Sequence, residues 1–110
     1  MNKNKCLPVI FLLLSYVPLT SLAQVIPQVT VGTPYKKVRA ALLKEGWTPV
    51  RQPGDPNDYL GNEHRKKGWT EVEMCAPTGA APCVFVWQNQ QGKRLEVVTV
   101  YEDPKFNGFR

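Results

Sequence analysis

A single histidine, His64, is all that the 110-residue sequence offers for acid–base chemistry near neutral pH, and it stands between Glu63 and Arg65 in a polar stretch. A nucleophile needs a base and a group that orients the base, so no catalytic constellation forms around it. A glycine-rich phosphate loop and a dense acidic calcium loop with a terminal ligand are also missing. So is an apolar run of about 20 residues, the length that spans a bilayer. The stretch from Leu7 to Val17 is broken by Pro8, Ser15 and Tyr16, with Pro18 close behind. These absences predict a chain that is not an enzyme, uses no cofactor or metal, and keeps no transmembrane segment when mature. His64 is expected to be a solvated loop residue.

Charge of one sign is scarce as well, once the N-terminus is set aside. Asn2-Lys3-Asn4-Lys5 is a basic start, Leu7 to Val17 is apolar, and Ser21-Leu22-Ala23 places small residues where a signal peptidase reads. Residues 1–23 therefore read as a cleaved secretory signal. Cys6 precedes the apolar run, whereas a lipoprotein cysteine would follow it. Cleavage removes Lys3, Lys5 and Cys6 and leaves residues 24–110, with 12 Lys+Arg against 9 Asp+Glu and two cysteines. That modest surplus excludes a strongly basic nucleic-acid binder. The expected destination is the periplasm or the extracellular space.

Export decides the role of the remaining thiols. In an oxidising compartment Cys75 and Cys83 are expected to pair. The intervening Ala76-Pro77-Thr78-Gly79-Ala80-Ala81-Pro82 is rich in turn residues that can bring the ends together. Seven intervening residues is not the spacing of a redox motif, and two cysteines with one distant histidine make no zinc site.

Gln24 to Gly32 reads as an extended, proline-punctuated lead-in. Thr33 is a suitable N-cap, Pro34 suits the first helical position, and Gly46 can end the helix that Tyr35 to Glu45 would form. Tyr35, Val38, Ala41 and Leu42 share one stripe; Lys36, Lys37, Arg39 and Lys44 lie mostly off it and are expected to face solvent. From Arg51 to Gly68 the sequence is irregular, with the turn cluster Pro53 to Asp58 and room for a short helical turn at Tyr59 to Lys66. Cys83 to Gln88 and Leu95 to Tyr101 are β-branched and aromatic runs joined by Asn89-Gln90-Gln91-Gly92, which predicts a hairpin. Both faces of that hairpin carry apolar residues. Glu71 and Glu73 read as solvated charges.

The expected fold is α+β: one principal helix on a three- to four-stranded antiparallel sheet, with one disulfide. The domain runs over 33–103, with 104–110 as a C-terminal tail. Large aromatics with basic neighbours are the usual anchors of protein contacts, which nominates Trp69, Trp87, Tyr101, Tyr59 and Arg65 as partner-binding residues. The cluster Arg65-Lys66-Lys67 beside Trp69 offers a second reading, binding of an anionic glycan or lipid at the envelope surface.

The order Gly32-Thr33-Pro34-Tyr35, Val38-Arg39-Ala40-Ala41-Leu42-Leu43, Gly46-Trp47-Thr48-Pro49-Val50, Gly68-Trp69-Thr70-Glu71-Val72, Cys75, Cys83 and Gly92, Leu95, Val97 resembles small exported bacterial proteins of an uncharacterised family. The resemblance covers about Val31 to Tyr101. More remotely, a helix, a Gly-Trp step and strands with a cysteine-closed loop is similar to one unit of the β-lactamase inhibitory protein-like fold and to outer-membrane assembly lipoproteins of that architecture. Such proteins present a sheet face to a partner. This sequence holds one unit rather than two, so inhibition of a β-lactamase is not carried over. The expected function, resting on the aromatic residues named above, is a non-enzymatic exported binding module that recognises a periplasmic or extracellular protein through aromatic sheet or loop residues.

Overall fold

A computed structural model describes residues 24–110, and the signal segment read at 1–23 lies outside the described residues. Helix α1 spans Tyr35–Lys44 and buries Tyr35, Val38 and Leu42 along one stripe. Its start differs in detail from the expected cap. Pro34 is the boundary residue, and the Thr33 hydroxyl donates back to the Thr30 carbonyl at 2.7 Å instead of capping the helix. Gly46 ends it with φ +91, a conformation that costs glycine little.

Five strands follow: β1 (Thr48–Pro49), β2 (Val72–Cys75), β3 (Cys83–Gln88), β4 (Arg94–Val100) and β5 (Lys105–Phe109), with helix α2 (Tyr59–Lys66) between β1 and β2. All pairings are antiparallel, in the order β1-β3-β4-β5. β1 and β2 share one edge of β3: β1 lies against Trp87 and Gln88, and β2 against Cys83, Val84 and Phe85. The sheet therefore has five strands, not three to four. The additional strand is β5, in the segment expected to be a tail. Phe106 pairs with Thr99 and Phe109 with Val97, so both rings reach the core face, where they pack at a tilt with centroids 4.8 Å apart. Asn107 and Gly108 between them hide the strand pattern, because both residue types are poor in strands.

Side chains alternate across the sheet. Phe85, Trp87, Leu95 and Val97 form the buried face with Val72, Cys75 and Cys83. Tyr35 from α1 stacks on Phe85 at 3.8 Å, and His64 from α2 lies 5.8 Å from the same ring, so both helices cover one face. Strand positions on the other face hold Met74, Val84, Val98 and Val100, half-buried or exposed. An ion-pair lattice of Glu73, Arg94, Glu96 and Arg110 runs beside them. No aromatic side chain occupies a strand position there.

Helix α2 is short and nearly all polar, which is why the sequence shows no more than a helical turn. Its order comes from Asp58. The carboxylate accepts from the Gly61 N–H at 2.9 Å as an N-cap and from the Cys75 N–H at 3.2 Å, tying the helix start to β2. Gly61 makes this geometry available, because a Cβ there would fall 2.1 Å from Asp58 Oδ2. Gly61→Ala should therefore destabilise the domain by roughly 1–2 kcal/mol, the worth of a cap, although alanine is the better helix former. Chemical denaturation of the two proteins reads the difference, and an alanine variant of equal or higher stability would show that the cap is dispensable.

The expected disulfide is present between Cys75 and Cys83, which face each other across β2 and β3. Closing a loop of about nine residues stabilises by roughly 2.5 kcal/mol on the chain-entropy account. Reduction, or Cys75→Ser with Cys83→Ser, should lower the denaturation midpoint by that share of a small domain's stability.

Candidate functional site

Two polar arrangements stand out, and only one faces solvent. The first is interior. Glu71 has 0 % exposure, accepts from the Tyr35 hydroxyl at 2.7 Å, and accepts twice from Arg39, at 2.7 Å from Nε and 3.2 Å from the terminal nitrogen. Trp87 Nε1 in turn donates to the Tyr35 oxygen at 3.1 Å. Burial, with the Glu71 charge beside it, pushes the Tyr35 hydroxyl well above its ordinary pKa, so it stays a donor. This corrects two expectations. Arg39 turns inward instead of facing solvent with Lys36 and Lys37, and Glu71 is a buried ion-pair partner instead of a solvated charge. Every polar group of the set is engaged with another, so the network holds α1 to the sheet and offers no open position for a substrate.

The second arrangement is a groove of about 480 Å³ between α2 and the disulfide-closed loop. Leu60, Ala76, Pro77 and Ala81 give it apolar walls. Asp58, Glu63 and Glu102 line it with three carboxyl groups, and Lys67 with one ammonium. Tyr59 stands on its rim with 79 % of its surface exposed. Tyr101, next to the lining residue Glu102, is 58 % exposed. Tyr101 has φ +76, a left-handed conformation that costs a tyrosine of order 1 kcal/mol, and its N–H donates to Ala80 of the closed loop. The fold thus holds a large aromatic in a strained backbone at the surface, beside a groove.

His64 forms part of the groove wall from beneath and is 1 % exposed, which corrects the expectation of a solvated loop histidine. It packs against Trp69 and Phe85. Burial, and then Lys67, hold its pKa below the ordinary histidine value; Asp58, Glu63 and Asp103 pull the other way. The folded state thus disfavours the charged ring while the unfolded chain titrates near the usual value of about 6.5. Below that pH the unfolded state binds more protons, so stability falls as the pH drops from about 6.5 toward the depressed folded value. Thermal unfolding between about pH 8 and pH 5 should show this loss, and His64→Phe should flatten it.

The nominated contact residues separate cleanly. Trp87 is fully buried in the sheet core and has no surface to offer a partner. Trp69 packs edge-on against Tyr35 at 5.1 Å and against Phe85, with Lys67 Nζ 5.0 Å over its ring, so it serves as core wall. Arg65 donates to the Val72 carbonyl at 2.6 Å and to Asn62, which commits its guanidinium inside the domain. Lys66 pairs with Glu63 on the surface of α2. Of the nominated aromatics, only Tyr59 and Tyr101 are exposed. The roles of His64, Asp58 and Glu71 escape sequence reasoning. The signal for the first is the spacing of Leu60, Gly61 and His64, three and four residues apart and so on one helix face.

Comparison with known proteins finds no matching family model, no matching curated protein and no matching solved structure. Among the described residues, no helix is long and apolar enough to cross a membrane.

Proposed function

We propose that the protein is a non-enzymatic exported binding module that grips a segment of a periplasmic or extracellular protein in the groove between α2 and the Cys75–Cys83 loop. The observation that carries this reading is the concave site with apolar walls and the exposed Tyr59 on its rim, with a second exposed tyrosine, Tyr101, next in sequence to the lining residue Glu102. Tyrosine supplies large contact area with little entropy to lose, and such residues dominate protein interfaces. The open sheet face, which kinship with the inhibitory-protein fold would favour, lacks aromatics and is the weaker surface.

The charges select the occupant. The lining carboxyl groups outnumber the one lysine, and with Asp58 engaged by the Gly61 and Cys75 N–H groups and Glu63 by Lys66, Glu102 is the one that would meet a lysine or arginine next to an apolar side chain of the segment. The carboxyl groups repel the anionic glycan or lipid of the alternative reading, whose Arg65 is already committed to Val72 and Asn62. A disulfide-stapled small domain is compatible with export.

The test is affinity capture from envelope and culture-fluid fractions with the oxidised 24–110 domain, beside Tyr59→Ala and Tyr101→Gly. One protein should be retained by the parent domain and lost at least tenfold by each variant, at low and at high salt, with thermal unfolding of the variants unchanged or raised. Retention of polyanions alone, released by salt, would contradict the reading.

A further inference from the structure

His64 poses a question that protein binding does not answer. Its ring is buried, yet neither nitrogen has a hydrogen-bond partner among the described residues. A buried polar group left unmatched costs of order 1–3 kcal/mol, so such a group calls for an explanation. The fold supplies one by bringing the ring to the disulfide. One ligand atom from each of His64, Cys75 and Cys83 lies within 4.8 Å of the other two, and all three residues are buried. The histidine, distant in the sequence from both cysteines, comes from α2, while Cys75 ends β2 and Cys83 begins β3. The sequence expectation that these residues make no zinc site rests on that distance, and the fold removes it.

Zinc bonds of about 2.3 Å to sulfur and 2.0–2.1 Å to nitrogen, set tetrahedrally, place ligand atoms roughly 3.5–3.8 Å apart. The His64 nitrogen lies no more than about 1.3 Å beyond that spacing from either sulfur, while the two sulfurs, bonded to each other, are closer than it and part by side-chain rotation once the bond is reduced. His64 and Cys75 both line the groove, so a fourth position opens toward solvent.

We propose that the reduced domain is a zinc site, in which the thiolates of Cys75 and Cys83 and the ring of His64 hold one ion, with water from the groove as fourth ligand. A dithiol reductant gives two electrons and two protons to the Cys75–Cys83 bond and itself becomes a disulfide, and the two thiol protons leave as the metal binds. Loss of two electrons from the sulfurs to an oxidised dithiol restores the bond and releases the ion. The same pair of cysteines thus staples the domain by a covalent bond when oxidised and by a metal when reduced.

The experiment reduces the 24–110 domain anaerobically with a phosphine, which becomes the phosphine oxide, and titrates it with Co²⁺ and then Zn²⁺. One equivalent of Co²⁺ should produce thiolate-to-cobalt charge-transfer absorption and tetrahedral ligand-field bands, both erased by one equivalent of Zn²⁺. The oxidised domain should produce neither. His64→Phe keeps the ring packing against Trp69 and Phe85 but has no donor, and should weaken cobalt binding at least tenfold; His64→Cys should restore it. His64→Gln replaces the Phe variant if that one is unfolded by circular dichroism when oxidised. If reduction unfolds the parent domain, Zn²⁺ should return the native near-ultraviolet dichroism. Absence of the charge-transfer band, binding by His64→Phe or His64→Gln as tight as the parent's, or failure of Zn²⁺ to restore a reduction-unfolded domain would each overturn the proposal.

Discussion

Arg39→Ala is expected to destabilise the domain by about 3 kcal/mol, although Arg39 lies on a helix whose neighbouring lysines can be replaced at almost no cost. The reason is Glu71, a fully buried carboxyl group held between the Arg39 guanidinium and the Tyr35 hydroxyl. Removing one partner of a buried pair leaves an uncompensated charge and typically costs about 3–5 kcal/mol. Arg39 retains 24 % side-chain exposure, which admits some water and places the expectation at the lower end. Its guanidinium also lies 5.8 Å over the Trp87 ring, and alanine forfeits that cation–π attraction as well. Adding Glu71→Gln to Arg39→Ala removes the stranded charge and should recover more than half of the stability. Urea denaturation with unchanged slopes reads both steps. A single-variant effect below about 0.5 kcal/mol, the range of ordinary surface substitutions, would show that the pair is an ordinary surface contact.

Trp87→Ala is expected to cost about 3–5 kcal/mol, the range for emptying a fully buried aromatic site, and to leave the domain largely unfolded at about 37 °C. Trp87 stands on β3, the strand that pairs with β1, β2 and β4, and its indole fixes the Tyr35 hydroxyl that reaches Glu71. The cavity and the freed polar atom add to the missing burial. Any failure of partner capture in this variant comes with loss of fold. Tyr101→Gly, by contrast, relieves a left-handed tyrosine, so it should keep or raise stability while removing the aromatic surface that a partner would grip. Near-ultraviolet dichroism and thermal unfolding separate the two cases. A folded, stable Trp87→Ala domain that no longer captures partner would return Trp87 to the interface.

These outcomes follow from what the sequence reveals and what it hides. Helix α1, the β3–β4 hairpin and the disulfide follow from local signals: an apolar stripe ending at Gly46, two β-branched runs around a turn, and a turn-rich loop between two cysteines. Strand β5 and helix α2 are obscured because their residues have weak intrinsic preferences and depend on tertiary partners, Phe106 and Phe109 on the core and Asp58 on the Cys75 N–H. The site is legible only in part. Trp87, Trp69, Tyr59 and Tyr101 look alike as aromatics in a sequence, and pleat and register alone send the first inward. Arg39, Glu71 and His64 are polar residues whose burial depends on partners 32 or more positions away or on another element, which no local pattern encodes.

On the proposed reading, partner protein enters the groove beside the disulfide loop. Amide chemical-shift mapping of the isotope-labelled oxidised domain, on addition of the captured partner, locates the contact residue by residue. Shifts should concentrate at Asn57 to Lys67, at Ala76 to Pro82 and at Tyr101 and Glu102, leaving β4 and the ion-pair lattice unperturbed. Shifts concentrated instead at Met74, Val84, Val98 and Val100 would place the partner on the open sheet face and contradict the account.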